Sequence, residues 1–232
     1  MSWTRLRQVA LVARDLEPVV ADLSDAFGLE VAFRDPGVAS FGLHNAVLPL
    51  GNQFVEVVSP VRPGTAAGRQ LDRLGGDGGY MVICHTDDHA RRRDRVAQLG
   101  VRVAWQGEDR GYSIMQLHPA DTGGSFLEID FQPGGDDPHG PWMPAGPDWQ
   151  RAVRAEVVDR IAGVTVQSAD AGKAAARWAE ILETVVVDGI IALDNATITF
   201  VDGTVDSLVG VTVAGPKVTG DRVIAGVRFA AA

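Results

Sequence analysis

Residues 8–28 read QVALVARDLEPVVADLSDAFG, and the skeleton of that stretch returns twice in the same chain. A polar residue, Gln8, opens a short apolar strand, Asp15 follows seven positions later, and a helix stops at Gly28. Adding 72 to each number gives Tyr80, Asp87 and Gly100, with YMVICHTDD as the strand and its cap. A fainter copy, GVTVQSADAGKAAARWAEILE, occupies residues 163–183 and puts Gly163, Asp170 and Glu183 in the same places. A fixed period inside one sequence marks duplication, so the fold is counted in repeated units.

Within the first unit, polar character disappears from both faces over residues 8–13, as expected for a strand covered by helices on one side and enclosing a space on the other. Alternation puts Gln8, Ala10 and Val12 on one face. Asp15 is suited to accept from the first free amides of a helix, Pro18 is tolerated in its first turn, and Leu16, Val19, Val20, Leu23 and Phe27 follow at helical spacing. Strands are expected over residues 29–34, 40–50 and 53–59, separated by Asp35-Pro36-Gly37 and Gly51-Asn52. The unit is therefore βαβββ. Its copy runs without a gap: Val31-Ala32-Phe33 lies 72 residues before Val103-Ala104-Trp105, and Phe54-Val55-Glu56-Val57 lies 72 before Phe126-Leu127-Glu128-Ile129.

The connector over residues 60–79 carries a short helix after Thr65 and ends in GGDGG, which reads as a hinge because no helix and no P-loop lysine follow it. Arg91, Arg92, Arg93 and Arg95 read as a solvated helix face balanced by Asp87, Asp88 and Asp94. Residues 133–155, rich in Pro and Gly with Trp142 and Trp149, read as an interdomain linker pinned to a surface by its tryptophans. In the third unit a helical stripe from Ala171 to Leu182 precedes strands near 184–187 and 196–201; residues 207–214 and 223–229 read as the opening and closing strands of a fourth unit without a helix. The expected organisation is α+β: a paired domain over residues 1–132, with modules 5–60 and 78–132, then the linker, then a degenerate copy over 156–232.

Composition narrows the function classes. With 21 Lys and Arg against 30 Asp and Glu, the formal charge is −9, which argues against nucleic acid or an anionic membrane as partner. One cysteine, Cys84, allows neither an intrachain disulfide nor a thiolate metal cluster. The apolar run behind Arg5 and Arg7 is too short for a signal sequence and no stretch is long enough to span a bilayer, so a cytoplasmic location is expected.

Glu56 and Glu128 each interrupt an apolar strand, an expensive place for a charge unless it is paired, hydrated or metal-bound. Each lies 48 residues after Gln8 or Tyr80, so approximate twofold pairing of the units brings Gln8, Glu56, Tyr80 and Glu128 to one cavity. At this point the paired units resemble the vicinal oxygen chelate superfamily, which includes glyoxalase I, methylmalonyl-CoA epimerase, extradiol dioxygenases and bleomycin-resistance proteins. The resemblance covers residues 5 to about 132, and the turn LHPADTGG over residues 117–124 resembles the one preceding the metal Glu in the epimerases. It implies a divalent metal at Gln8, Glu56, Tyr80 and Glu128. Tyr80 departs from the pattern, standing where the family has His. A neutral phenol is a poor ligand, whereas an amide oxygen with two carboxylates (Gln8, Glu56 and Glu128) suits a harder ion. The two histidines of an extradiol iron site are missing, which disfavours that chemistry.

The resemblance implies a glyoxalase-like enzyme of lyase or isomerase type acting on a small oxygenated metabolite. Glu128 and Glu56 are its catalytic carboxylates, with Glu128 the expected base, and Gln8 and Tyr80 are its substrate-binding groups; His118, at a strand end before Pro119, joins them if it edges the pocket, the favoured alternative being a turn-stabilising role. The alternative is a metal-independent protein that sequesters a small molecule, as bleomycin-resistance proteins do. Cys84 shares the Tyr80 face by alternation and reads as packing; His85 and His89 flank a helix start and read as capping or solvent-facing. Two assemblies stay open, a pseudo-dimer within one chain and a homodimer between chains.

Overall fold

The computed structural model describes residues 2–232 as two seven-stranded sheets with helices between and beside them. The first sheet draws on β1 (Thr4–Val12), β2 (Leu43–Leu50), β3 (Gln53–Pro60), β4 (Gly78–Thr86), β5 (Val103–Asp109), β6 (Tyr112–Leu117) and β7 (Phe126–Phe131), in the order β2-β3-β1-β4-β7-β6-β5. Its helices are α1 (Leu16–Phe27), α2 (Ala66–Leu74), α3 (His89–Gln98) and the short α4 (Pro119–Thr122). The second sheet is built from β8 (Arg160–Ser168), β9 (Val186–Val187), β10 (Ile190–Ala192), β11 (Thr197–Asp202), β12 (Ser207–Ala214), β13 (Arg222–Ile224) and β14 (Val227–Ala231), ordered β13-β14-β12-β8-β11-β10-β9, with the one helix α5 (Ala171–Leu182).

The repeat is visible in the ladders. β1 pairs parallel with β3 and antiparallel with β4, and β4 pairs parallel with β7; β8, β11, β12 and β14 reproduce this arrangement. Each central ladder contains two bulges. Leu6 pairs with Cys84 and Gln8 with Ile83, leaving Arg7 without a partner; Ala10 pairs with Met81 and Leu11 with Gly79, leaving Tyr80 without one. In the second sheet Ala162 and Val209 are the unpaired residues. A bulge turns two successive side chains to one face, so Tyr80 and Met81 both join the cluster inside the first sheet, with Ala10, Val12 and Phe54. Cys84 accordingly lies on the opposite face, not with Tyr80 as simple alternation predicts, among the residues packed between the sheets.

Several local expectations change. Residues 29–34 form no ladder beyond a bridge from Phe33 to Val47, because Asp35 caps a 3₁₀ helix over Pro36–Phe41 by accepting from the Gly37 amide. The Asp15 side chain makes no capping hydrogen bond, and Asp88, not Asp87, caps α3 by accepting from the Arg91 amide. The strand expected over 223–229 is a hairpin of β13 and β14 turning at Ala225-Gly226. Arg92 is buried, and with Arg91 it clamps Glu183 at the end of α5, so that part of the arginine face joins helices of two units rather than meeting water.

The glycine run before β4 also has a different role. Gly78 and Gly79 belong to β4, and a Cβ on Gly79 would sit 1.9 Å from the Leu208 carbonyl oxygen, so the two sheets meet there backbone to backbone. One continuous apolar core, including Leu11, Val82, Val164 and Leu208, fills the space between them. The Gln53 side chain bridges the same seam, donating to the Ile161 carbonyl at 3.1 Å and accepting from the Ile161 amide at 2.8 Å. Gly79→Ala is expected to lower the unfolding free energy by about 2–3 kcal/mol in urea titrations, because the seam has no room for a methyl group. Gly76→Ala, whose Cβ would meet nothing within 4 Å, should be neutral to within about 0.5 kcal/mol.

Candidate active site

The inner face of the first sheet curves around a cup of about 380 Å³ lined by Gln8, Asn45, Glu56, Tyr80, Gln116 and Glu128 among apolar side chains such as Val58, Met81 and Ile83. Strand positions place the polar groups. Ala10 aligns with Glu56, Ile83 aligns with Glu128 and Glu128 aligns with Gln116, so the two glutamates flank the central pair β1 and β4. Both are buried. The four residues singled out from the repeat are therefore together, as their shared offset required.

The predicted linker completes the cup. Trp142 and Trp149 are buried against Phe54, and Met143 and Pro144 line the cavity. The Trp142 indole donates to Gln8 Oε1 at 2.8 Å, and Gln8 Nε2 donates to Glu56 Oε2 at 2.9 Å. Asn45 Nδ2 donates to Glu56 Oε1 at 2.6 Å, while its own Oδ1 accepts from the Asp35 amide at 2.8 Å. An indole N–H and a backbone N–H can only donate, so both amides are fixed with their NH₂ groups toward Glu56. The sequence marks Trp142 only as a pin for the linker and does not mark Asn45; Asn45 lies eleven residues before Glu56 on the antiparallel partner strand, the one pattern that could have drawn attention to it.

Glu128 has a different setting. Gln116 hydrogen-bonds to it, and Asp130, two residues on along β7, faces the same side. Tyr112 donates to Asp130 Oδ2, whereas Asp130 Oδ1 is buried without a donor. That oxygen is satisfied when Asp130 keeps its proton and donates it in a hydrogen bond to Glu128, in line with an Asp130 pKa raised well above the usual carboxylate range by burial and the Glu128 charge. Desolvation pushes Glu56 up to about 7 against the opposing hydrogen bond from Asn45, and the nearby Glu128 charge adds to the rise. Desolvation likewise raises Glu128 to about 7. Burial, followed by the charges of Glu128 and Glu56, lifts the Tyr80 phenol to about 12, so it is a neutral donor at physiological pH.

Other expected site residues lie elsewhere. His118 does not line the cup; its Nδ1 accepts from the Ala120 amide, so it caps α4. His85 is neither a cap nor solvent-facing: it is buried on β4 against Trp3 and Trp142, and burial together with Arg7 and Arg5 depresses it to about 3.

The donor set does not fit a divalent metal. Gln8 turns its oxygen to Trp142 and its NH₂ to Glu56, both Glu56 oxygens face amide donors rather than a cation, and a neutral phenol fills the fourth position. Among the described residues no three His, Cys, Asp or Glu side chains converge as a metal centre.

Paired repeats joined through β1 and β4 around a shared cup define the vicinal oxygen chelate architecture. A model described as "Glyoxalase-like domain" matches residues 9–182, and the chain belongs to that family. The ethylmalonyl-CoA/methylmalonyl-CoA epimerase of Cereibacter sphaeroides is 27% identical over 130 residues, spanning 54% of this chain and 96% of the relative. A Streptomyces coelicolor methylmalonyl-CoA epimerase variant, solved with 2-nitronate-propionyl-CoA, superposes with a TM-score of 0.51 at 23% identity over 56% of this chain and 98% of its own. A hypothetical protein from Staphylococcus aureus matches 99% of both chains with a TM-score of 0.70 at 13% identity, so its fold includes both sheets. No helix among the described residues is long and apolar enough to cross a membrane.

The raised carboxyl pKa values set a pH dependence for stability. The folded protein keeps protons on Glu56 and Glu128 up to about pH 7, whereas the unfolded chain releases them near pH 4.3. Stability therefore falls as pH rises through that window, by up to about 3 kcal/mol per carboxyl, with Asp130 acting in the same direction. Urea unfolding at pH 5 and pH 8 should show this loss, and Glu128→Gln should lose markedly less. An unchanged difference would mean that Glu128 titrates as an ordinary exposed carboxyl.

Proposed function

We propose that the protein is an isomerase-type enzyme that moves a proton at an acidic carbon next to a carbonyl. The observation that carries this reading is the pair of buried carboxyl groups, Glu56 and Glu128, supplied by corresponding strands of two repeats to one apolar cup and both raised to about 7. A general acid or base works best with a pKa near the operating pH. Two carboxyl groups with different supports can divide the roles of acid and base.

Glu56, held by two amide donors, starts as the ionised base. This reverses the assignment expected from the sequence, in which Glu128 was the base. Glu56 takes the proton from the carbon, and the C–H bonding pair moves into the carbonyl to give an enolate. Tyr80, neutral and at the bulge of β4, donates a hydrogen bond to the enolate oxygen. Glu128, starting protonated, returns its own proton to the carbon from the other side, while Asp130 keeps its proton and hydrogen-bonds to the Glu128 carboxylate that forms. The carboxyls exchange protonation states during turnover, and bonds and charges balance.

A small acyl thioester with an acidic Cα–H is the favoured substrate class. The apolar lining of the cup suits the acyl group, and the 27% identical relative is an acyl-CoA epimerase. The sequestering alternative draws on the exposed rim, where Phe41 and Trp105 pack edge to face at 5.1 Å and could grip a flat ligand.

Incubation with methylmalonyl-CoA in D₂O, followed by NMR, tests the reading. Wild-type protein should exchange the α-proton and interconvert the epimers, with a rate maximum near pH 7. Glu56→Gln and Glu128→Gln should each lower kcat by about 10²–10³-fold. Binding of the thioester with no exchange at any pH would favour sequestration.

A further inference from the structure

The Trp142 indole holds the Gln8 oxygen, the atom chelation chemistry would need turned toward Glu56. We propose that Trp142 is a positioning residue that takes the place of a metal, holding the Gln8 oxygen so that the amide serves Glu56 and is withheld from a cation. An amide offers a cation only its oxygen. Here Oε1 accepts the indole N–H at 2.8 Å, and that choice turns Nε2 to Glu56 at 2.9 Å.

Trp142 is held independently of Gln8, which lets it dictate the amide orientation. Its ring stacks on Phe54 with centroids 6.3 Å apart and meets Tyr112 edge-on at 5.5 Å and His85 at 5.1 Å. The Arg7 guanidinium lies 5.3 Å from the same ring and donates to the Pro138 carbonyl at 2.6 Å, tying the segment that carries Trp142 to β1. Met143 adds a second tie through its amide, which donates to Gln132 Oε1 at 3.0 Å. Gln8, Glu56 and Glu128 all line the cup, but a cation shared with Glu56 would meet Gln8 Nε2, and the amide can turn its oxygen inward only by giving up the indole hydrogen bond.

Removal of that competing bond should uncover a latent site for a hard divalent ion, because amide and carboxylate oxygens are the donors such ions accept. A buried hydrogen bond of about 1 kcal/mol corresponds to a change of about fivefold to tenfold in affinity. The test is a Mn²⁺ titration followed by electron paramagnetic resonance at pH 8, where both glutamates are mainly ionised. Trp142→Phe keeps an aromatic ring without the donor and should bind one Mn²⁺ at least about fivefold more tightly than wild type. Adding Glu56→Gln to Trp142→Phe should abolish that binding. Equal affinity in wild type and Trp142→Phe, or no binding in either, would overturn the proposal.

Should Trp142→Phe not fold, Gln8→Ala gives a second measurement. The Trp142 indole N–H should then lose its acceptor, exchange faster with solvent and shift in the ¹H–¹⁵N spectrum; an unmoved signal would equally overturn the proposal. The inference deepens the proton-transfer reading at the same site, yet both measurements need no substrate, so its failure and the failure of that reading are separately visible.

Discussion

The antiparallel ladder between β1 and β4 is where the architecture and the chemistry of this chain meet. Its two bulges leave Arg7 and Tyr80 without ladder partners. A bulge costs pairing but redirects side chains. On β4, Tyr80 and Met81 consequently both face the cup, while Val82 and Cys84 face the core between the sheets. On β1, Arg7 reaches Phe54, Trp142 and Trp149, while its neighbour Gln8 meets Glu56. A regular ladder would have sent one residue of each pair away from the cup.

The same ladder in the second sheet shows what happens when the geometry persists without the chemistry. By register, Gly163 corresponds to Gln8, Thr199 to Glu56, Val209 to Tyr80 and Ala230 to Glu128. None of these residues is ionisable. What the second sheet retains is the core beneath it: Val164, Val166, Leu208 and Val211 pack in the cluster that also contains Val9, Leu11 and Val82. Its contribution is support for the back of the first sheet, including the close approach of Gly79 to Leu208.

The period of 72 residues and the matching Glu56 and Glu128 made the paired units and the four convergent site positions legible, because ladder register depends on spacing and spacing survives divergence. Bulges were not legible. They shift faces by one residue and leave no compositional mark, which is why alternation placed Cys84 on the wrong side. The role of residues 133–155 was hidden for a different reason. Pro and Gly report an irregular backbone, not its destination, so Trp142 gave no sign that its indole would meet a residue 134 positions earlier. For His118 the position before Pro119 favours a turn-stabilising role over a pocket edge, and the Ala120 amide donating to its Nδ1 agrees with the former.

Glu56, Glu128 and Asp130 together define the electrostatic problem of the cup. Three buried carboxyl groups cannot all be charged without a cation close by, since each unpaired charge resists leaving water. Neither Glu56 nor Asp130 has a guanidinium among its hydrogen-bond donors, and Arg7 makes its hydrogen bonds to the Asn52 and Pro138 carbonyls beyond the ring of Trp142. Metal would be one solution, but Gln8 and Asn45 present amide hydrogens, not oxygens, to Glu56. Protons are the remaining one. Asp130 keeps its proton and donates it in a hydrogen bond to Glu128, Glu56 is stabilised by amide hydrogens alone, and both glutamates are left balanced near neutrality. A cup that controls its charge by holding and releasing protons is already equipped to take one from a carbon and return another.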